Sequence, residues 1–327
     1  MKIIPIFFPN AGCKHRCVFC NEWMATMKKF PASICGEMEK AYYFYHGDAE
    51  SEVALYGGTF TAIDEWKSLL LEVERCAKKW DMNKIRISTR PDEIKDVDFL
   101  AEHHVNFVEL GAQSMCQEVL NNSKREHSVE DVKKAVRALK NVGVKVSVHL
   151  MTGLPSDTKA KSIFSALQVA KLKVDGVRIH PTLILKKTEL EELYHQKKYK
   201  PQTLEEALDW VSDMIAVFLN FKVVIERLGM YQDAETLSNV VAGPYHPAFG
   251  ELARAKLYRK FLSSTLARKV HAPERLRSQI VGRNKELKVE FEKDDKIWVE
   301  SNVDRVSFDE WLHEYVLKLE EMAGCDL

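Results

Sequence analysis

Between residues 3 and 181 short runs of β-branched and aliphatic residues alternate with stretches of helical period, and this alternation limits the fold more than any other feature. Strands are predicted over 3–8, 53–56, 85–89, 107–110, 144–150 and 177–181, with helices near 33–45, 64–80, 92–103, 128–142 and 158–172. Parallel neighbours cannot be joined by a tight turn and need a crossover, so strand–helix alternation predicts an α/β fold built on a parallel sheet. Asp64 and Asp157 are expected as N-caps, and Gly143 as the residue that stops a helix. In barrels of this kind the active site is built from loops at the carboxyl ends of the strands. The polar and glycine-rich segments fall there: the loop after strand one, Gly57-Gly58-Thr59, Thr89-Arg90-Pro91, Gly111-Ala112-Gln113-Ser114 and Thr152-Gly153-Leu154-Pro155.

The loop after strand one carries Cys13, Cys17 and Cys20 in a C-x3-C-x2-C spacing. Short spacings let thiolates converge on one metal centre. A structural zinc would need a fourth ligand, and no neighbouring C-x2-C or H-x3-H pair is present. Three thiolates instead suit a four-iron cluster with one iron open to a substrate or cofactor. The remaining cysteines, Cys35, Cys76, Cys116 and Cys325, are scattered and are expected to be structural. An odd total of seven suits a reduced cytoplasmic protein better than a disulfide framework.

Composition excludes several classes. The 327 residues hold 46% hydrophobic and 29% charged side chains, ordinary for a folded chain. The apolar stretches 144–148 and 214–219 fall far short of the ~20 residues a membrane span needs, and the N-terminus lacks the long apolar region of a signal peptide. The 48 Lys+Arg balance 48 Asp+Glu, so nucleic-acid binding must be argued from where charges lie. Residues 254–288 contain eleven Lys/Arg against two Glu, and residues 291–327 contain four against eleven acids. Residues 1–225 are expected to form the barrel core with its following helices, including a strand at 222–225. Residues 226–327 are expected to form a small C-terminal extension, basic over 254–288 and then acidic over 291–327. The basic run has two readings: a solvated face pairing with the acidic tail, or a phosphate-binding face with Tyr258, Phe261 and His271 interleaved.

Taken in order, these motifs resemble the radical SAM superfamily, whose cluster motif is C-x3-C-x2-C with an aromatic, here Phe19, before the last cysteine. The chain looks closest to the Elongator catalytic subunit and its bacterial relatives, and more distantly to oxygen-independent coproporphyrinogen oxidase. Tyr56-Gly57-Gly58-Thr59-Phe60-Thr61 is similar to their glycine motif, and Ser88-Thr89-Arg90-Pro91-Asp92 to their third-strand motif. Glu109-Leu110-Gly111-Ala112-Gln113-Ser114 with Arg125-Glu126-His127, then Met151–Pro155 and His180–Leu183, continue the similarity. The resemblance implies a partial (β/α)6 TIM-type barrel. It implies a 4Fe-4S cluster on Cys13, Cys17 and Cys20. It implies S-adenosylmethionine (SAM) held near Phe19, Gly57, Gly58, Thr59, Ser88, Arg90, Gln113 and Arg125, with Gln113 at the ribose and Arg125 pairing with a carboxylate. Reductive cleavage of SAM to a 5′-deoxyadenosyl radical would follow, with electrons from a separate donor.

Two departures stand out. The Elongator subunit has wider spacing before its last two cluster cysteines. It also carries an acetyltransferase domain, whereas no Q/R-x-x-G-x-G/A loop and only about 80 residues follow Phe249 here. By this resemblance the substrate is tRNA or another RNA. The rival readings are a small molecule, peptide or tetrapyrrole-like acid, or a non-catalytic iron-sulfur partner subunit. His127, His149 and His180 are expected to be satisfied histidines rather than substrate-facing acids or bases.

Overall fold

In Ile-Arg-Ile-Ser-Thr, aliphatic residues at alternate positions turn one face of a strand to a helical layer, and polar residues fill the other. The computed structural model describes residues 2–21, 29–230, 237–281, 288–292, 295–300 and 305–325. Its elements begin β1 (Ile3–Phe7), α1 (Ile34–Phe44), β2 (Glu52–Tyr56), α2 (Trp66–Ala77), β3 (Ile85–Thr89), α3 (Val97–Glu102) and β4 (Val105–Gln113). They continue with α4 (Gln117–Asn122), α5 (Val129–Asn141), β5 (Lys145–Thr152), α6 (Lys159–Lys171), β6 (Gly176–Pro181), β7 (Ile184–Leu185), α7 (Glu189–His195), α8 (Leu204–Asn220) and β8 (Val224–Leu228). Seven strands form one parallel sheet in the order β1-β2-β3-β4-β5-β6-β8. This is a half-barrel of the partial TIM type, and β8 adds a seventh strand to the six that alternation marks.

Local chemistry sets the helix starts. Thr158, not Asp157, caps α6 by accepting from the Lys161 amide at 3.2 Å. Asp157 turns inward instead and accepts from the Gly153 amide and the Ser162 hydroxyl, each at 2.8 Å. Asp64 likewise does not cap α2, which follows Glu65 in the left-handed region at φ 59°. The helix expected over 92–103 shortens to α3, because Pro91–Glu93 form a 3-10 turn whose acids are held by Arg90, Lys14 and Lys95. Gly143, at φ 80°, follows the end of α5 as expected.

Beyond the sheet lie β9 (Val240–Ala242), α9 (Phe249–Ser264), β10 (Lys269–Pro273), α10 (Arg277–Ile280), β11 (Lys288–Glu292), β12 (Trp298–Glu300), β13 (Arg305–Ser307) and α11 (Phe308–Cys325). Strands β11-β10-β12-β13 form a second sheet. Helix α8 packs on α6, α9 and α11, so its run Met214–Phe218 is buried on more than one face. One apolar cluster therefore runs from Ile4 to Ala323, and barrel and extension share a core.

Two expectations are corrected here. Cys35 and Cys76, expected as scattered structural residues of a reduced chain, form a disulfide linking α1 to α2, which bring their Cα atoms to 5.3 Å. In the basic run, Phe261 and His271 are buried and Tyr258 packs against the core, so none presents a free face for stacking on a base. Many of the cations are also paired: Lys256 with Glu205, Lys260 with Asp209 and Asp213, Lys269 with Glu290, Arg275 with Asp295 and Arg277 with Glu274. Arg254, Arg259, Arg268 and Lys288 have no ion pair among the described residues, while Arg283 and Lys285 lie outside them.

Candidate active site

The cysteine loop is held by backbone from four directions. The Asn10 amide donates to the Gly57 carbonyl at 2.6 Å, the Thr59 amide to Ala11 at 2.8 Å, the Val18 amide to Ser123 at 3.2 Å and the Leu190 amide to Val18 at 2.8 Å. Side chains add to this: Lys14 pairs with Glu93 at 2.7 Å and His15 with Glu126 at 2.8 Å. Asn21 donates to the carbonyls of Lys186 and Lys187. Gly57 and Gly58 sit against this loop. A Cβ on Gly58 would lie 2.8 Å from the Ala11 nitrogen, and one on Gly57 3.2 Å from Pro9. The bare backbone of this pair is thus used to seat the cysteine loop.

Around the thiols the geometry is specific. Thr59, almost wholly buried, sets its hydroxyl 3.2 Å from Cys13 Sγ. Arg125 donates from Nη1 to Cys17 Sγ at 3.1 Å and from Nη2 to the Gly111 carbonyl. A Cβ on Gly111 would lie 3.2 Å from Gln113 Nε2 and 3.4 Å from Arg125 Nη2, so these three residues meet at one point. Gln113 itself adopts φ 70° where the β4–β5 register shifts, a strained backbone that swings its side chain out of the ladder. Arg90 forms a two-pronged pair with Asp92 at 2.9 and 2.8 Å, and the nearby Cys13 and Cys17 help to raise its pKa. Two guanidiniums thus stand beside the cysteine loop, Arg125 on Cys17 and Arg90 within electrostatic reach of Cys13 and Cys17.

Phe19, half-buried, packs between two small apolar clusters, touching the groups around Leu190 and around Leu154. Ser88 lies in register with Glu109 and makes no side-chain hydrogen bond among the described residues. Cys116 is buried beside Val119 and Leu154, as a packing residue would be. His127, 2% exposed, has no partner on either ring nitrogen among the described residues. Burial, with Arg125 and Arg90 nearby, lowers its pKa to about 3, so it is neutral. Arg125 Nε is also buried without an acceptor. A buried donor left open on the guanidinium that holds Cys17, in a loop already shaped by its neighbours, fits a cluster and its cofactor.

Deeper in the half-barrel, side chains from six strands meet. Glu109 on β4, fully buried, accepts from Tyr56 at 2.9 Å, Arg86 at 2.9 Å, Arg178 at 2.5 Å and His149 Nε2 at 2.8 Å. Arg86 also donates to Glu52 at 2.7 Å and Glu226 at 3.4 Å, and Arg178 to Glu226 at 3.2 Å. Against the cost of burial, its partners hold the Glu109 carboxyl at about 2, well below the carboxylate range. Closed barrels fill this space with branched aliphatic residues; this one fills it with charge.

Comparison with known proteins now decides the family. A model of the radical SAM superfamily matches residues 8–163, and a model of the Radical_SAM C-terminal domain matches 174–259. The chain belongs to the radical SAM superfamily. Its members are enzymes that pair an iron-sulfur cluster with SAM. The tRNA uridine(34) acetyltransferase of Methanocaldococcus jannaschii is 34% identical over 259 residues, covering 65% of this chain and 48% of that one. Elongator complex protein 3 of Schizosaccharomyces pombe is 30% identical over 138 residues, 41% of this chain and 25% of that one. The chain thus spans about half the length or less of these curated relatives. Among solved structures, Methanocaldococcus infernus Elp3 with an N-terminal deletion aligns at TM-score 0.64 and 19% identity, over 99% of this chain and 91% of that one. Coproporphyrinogen III oxidase from Escherichia coli aligns at TM-score 0.52 and 17% identity, over 98% and 69%. These two likenesses show the fold.

Sequence reasoning misses several residues of this radical SAM site. Gly12, at φ 68°, leaves no room for a side chain against Thr59 and Ile63, and its signal was its place next to Cys13. Glu52, Arg86, Arg178 and Glu226 form the interior network, and their signal was a charge at an inward position of an otherwise aliphatic strand.

Proposed function

We propose that Cys13, Cys17 and Cys20 hold a 4Fe-4S cluster, that SAM binds beside it, and that the substrate is tRNA or another RNA. The observation that carries this reading is Arg125, whose one guanidinium joins Cys17 Sγ to the Gly111–Gln113 turn. When bound, the pair supplies reductive cleavage of SAM to a 5′-deoxyadenosyl radical. The chain's own residues prepare that site. Arg125 holds Cys17, Arg90 adds positive charge beside the loop, Thr59 orients Cys13, and Gln113 and Arg125 present an amide and a planar fork for the polar groups of SAM. Gly57 and Gly58 fix the loop, and Phe19 anchors its far end in apolar packing. Ser88 offers a hydroxyl from the inward face of β3. Fixed donors around the cluster also set its potential.

An RNA substrate is supported by the tRNA uridine(34) acetyltransferase among the relatives, and acetyl transfer is no part of the proposal. Arg254, Arg259, Arg268 and Lys288 are the candidate phosphate contacts. The enzyme would work in the cytoplasm with an external electron donor. Anaerobic reconstitution with SAM and a strong reductant should yield 5′-deoxyadenosine; a full cluster that yields none refutes the catalytic reading. Mass spectrometry of tRNA nucleosides from cells with and without the protein should show one modified nucleoside lost. An unchanged nucleoside profile removes the RNA substrate.

A further inference from the structure

Both guanidiniums of the barrel interior are already committed. Arg86 donates to Glu52, Glu109 and Glu226, and Arg178 to Glu109, Glu226 and the Tyr56 hydroxyl. Three carboxylates face two guanidiniums, so the buried network holds no uncommitted guanidinium among the described residues, and the further cation that acts on His180, Arg227 on β8, is exposed. The open groups are of another kind. His149 uses Nε2 on Glu109, and its Nδ1 has no partner among the described residues. His180, on the neighbouring strand β6, makes no side-chain hydrogen bond by either nitrogen. The two rings lie 5.8 Å apart and are half-buried. Glu109 is ionised and must accept, so Nε2 carries the proton of that bond and Glu109 positions the ring. Burial, with His149 and Arg178 beside it, holds the pKa of His180 at about 3, so it offers one N–H and one lone pair.

We infer that His149 and His180 are specificity residues of the substrate site, selecting an uncharged heteroaromatic edge such as that of a nucleobase over a carboxylate. The nucleobase rests on the RNA reading above; the rejection of anions rests on the network alone. A carboxylate beside the imidazoles would meet Glu109 and Glu226 with both buried guanidiniums, Arg86 and Arg178, already paired, and a buried unpaired charge is costly. A base edge presents N–H donors and carbonyl acceptors, the complement of the N–H and lone pair of His180 and of the open Nδ1 of His149.

The test is a titration of ¹⁵N-histidine-labelled holoenzyme, its cluster oxidised, with uridine and separately with propionate. Imidazole nitrogen resonances are the readout, assigned with His149→Phe and His180→Phe. Uridine is expected to shift His149 Nδ1 and His180 while propionate leaves both in place. Each phenylalanine variant should bind uridine about tenfold more weakly, with unchanged cluster absorbance and melting temperature. His149→Gln, which keeps an amide N–H for Glu109, serves if the phenylalanine variant does not fold. Propionate shifts as large as those of uridine, or no uridine shift at either ring, overturn the inference. Failure of the RNA reading looks different: uridine still shifts both rings, yet a tRNA transcript does not bind.

Discussion

Replacing Gly12 with alanine tests whether the cysteine loop owes its shape to one missing side chain. Gly12 sits at φ 68°, and an added Cβ would lie 2.7 Å from the Ile63 nitrogen and 2.8 Å from the Ala62 carbonyl carbon, and closer still to the Thr59 carbonyl oxygen. These are backbone atoms, so no rotamer change relieves the clash. Gly143, at φ 80° with nothing within 4 Å of its Cβ position, is the natural control. Gly143→Ala meets only the left-handed penalty of about 1 kcal/mol, partly offset by a less flexible unfolded chain. Gly12→Ala adds overpacking of about 1–3 kcal/mol, so its urea midpoint should fall clearly further. Because the strain is released by moving the loop that carries Cys13, Gly12→Ala should also lose iron and sulfide after anaerobic reconstitution, and Gly143→Ala should not. Equal stability losses and equal iron contents in the two variants would refute the reasoning.

Other outcomes follow from the same geometry. Cys17→Ala should abolish the cluster absorbance and SAM cleavage together; retained cleavage contradicts the ligand assignment. Arg125→Lys keeps the charge but cannot bridge Cys17 and Gly111, so SAM affinity by equilibrium dialysis should fall about tenfold with iron retained; unchanged affinity removes Arg125 from the SAM site. Combined Arg254→Ala, Arg259→Ala and Arg268→Ala should weaken tRNA binding and lower its salt slope by about three, more than the loss of the already paired Arg275 and Arg277. An unaltered slope excludes this face. His127, with an unfolded value of 6.5 and a folded value of about 3, takes up its proton on unfolding, so its contribution to stability is intact above pH 6.5 and lost as pH falls toward 3. The loss at pH 5 should be on the order of 2 kcal/mol, and His127→Phe should flatten that part of the urea-midpoint profile; an unflattened profile contradicts the assignment.

The sheet and the rim were legible because period-two and period-3.6 patterns report which face is buried, and because Gly57, Gly111 and the cysteines fall where strands end. The interior network was not legible. Arg86 and Arg178 look like solvated charges until the other strands are set beside them, since a charge inside an aliphatic strand marks a position but not its partners across the barrel. Asp157 failed as a cap for a related reason: Asp and Thr are both good caps, and only the inward turn of Gly153 decides between them. The Cys35–Cys76 bond joins residues that are neighbours only once α1 and α2 pack. The aromatic residues of the basic run carried a surface pattern in sequence, but the shared core of α9 and α11 takes them inside.

The way the cysteine loop is tied down has a consequence for biosynthesis. Its cysteines lie among the first twenty residues, but Val18 is held by Ser123 and Leu190, and Asn21 by Lys186 and Lys187. At about 5–20 residues per second, a ribosome needs on the order of 10–35 seconds to travel from the cysteines to those partners. During that interval the three thiols have emerged without their scaffold. Iron-sulfur delivery that requires the finished loop is therefore set by completion of the seventh helix, not by the synthesis of the ligands.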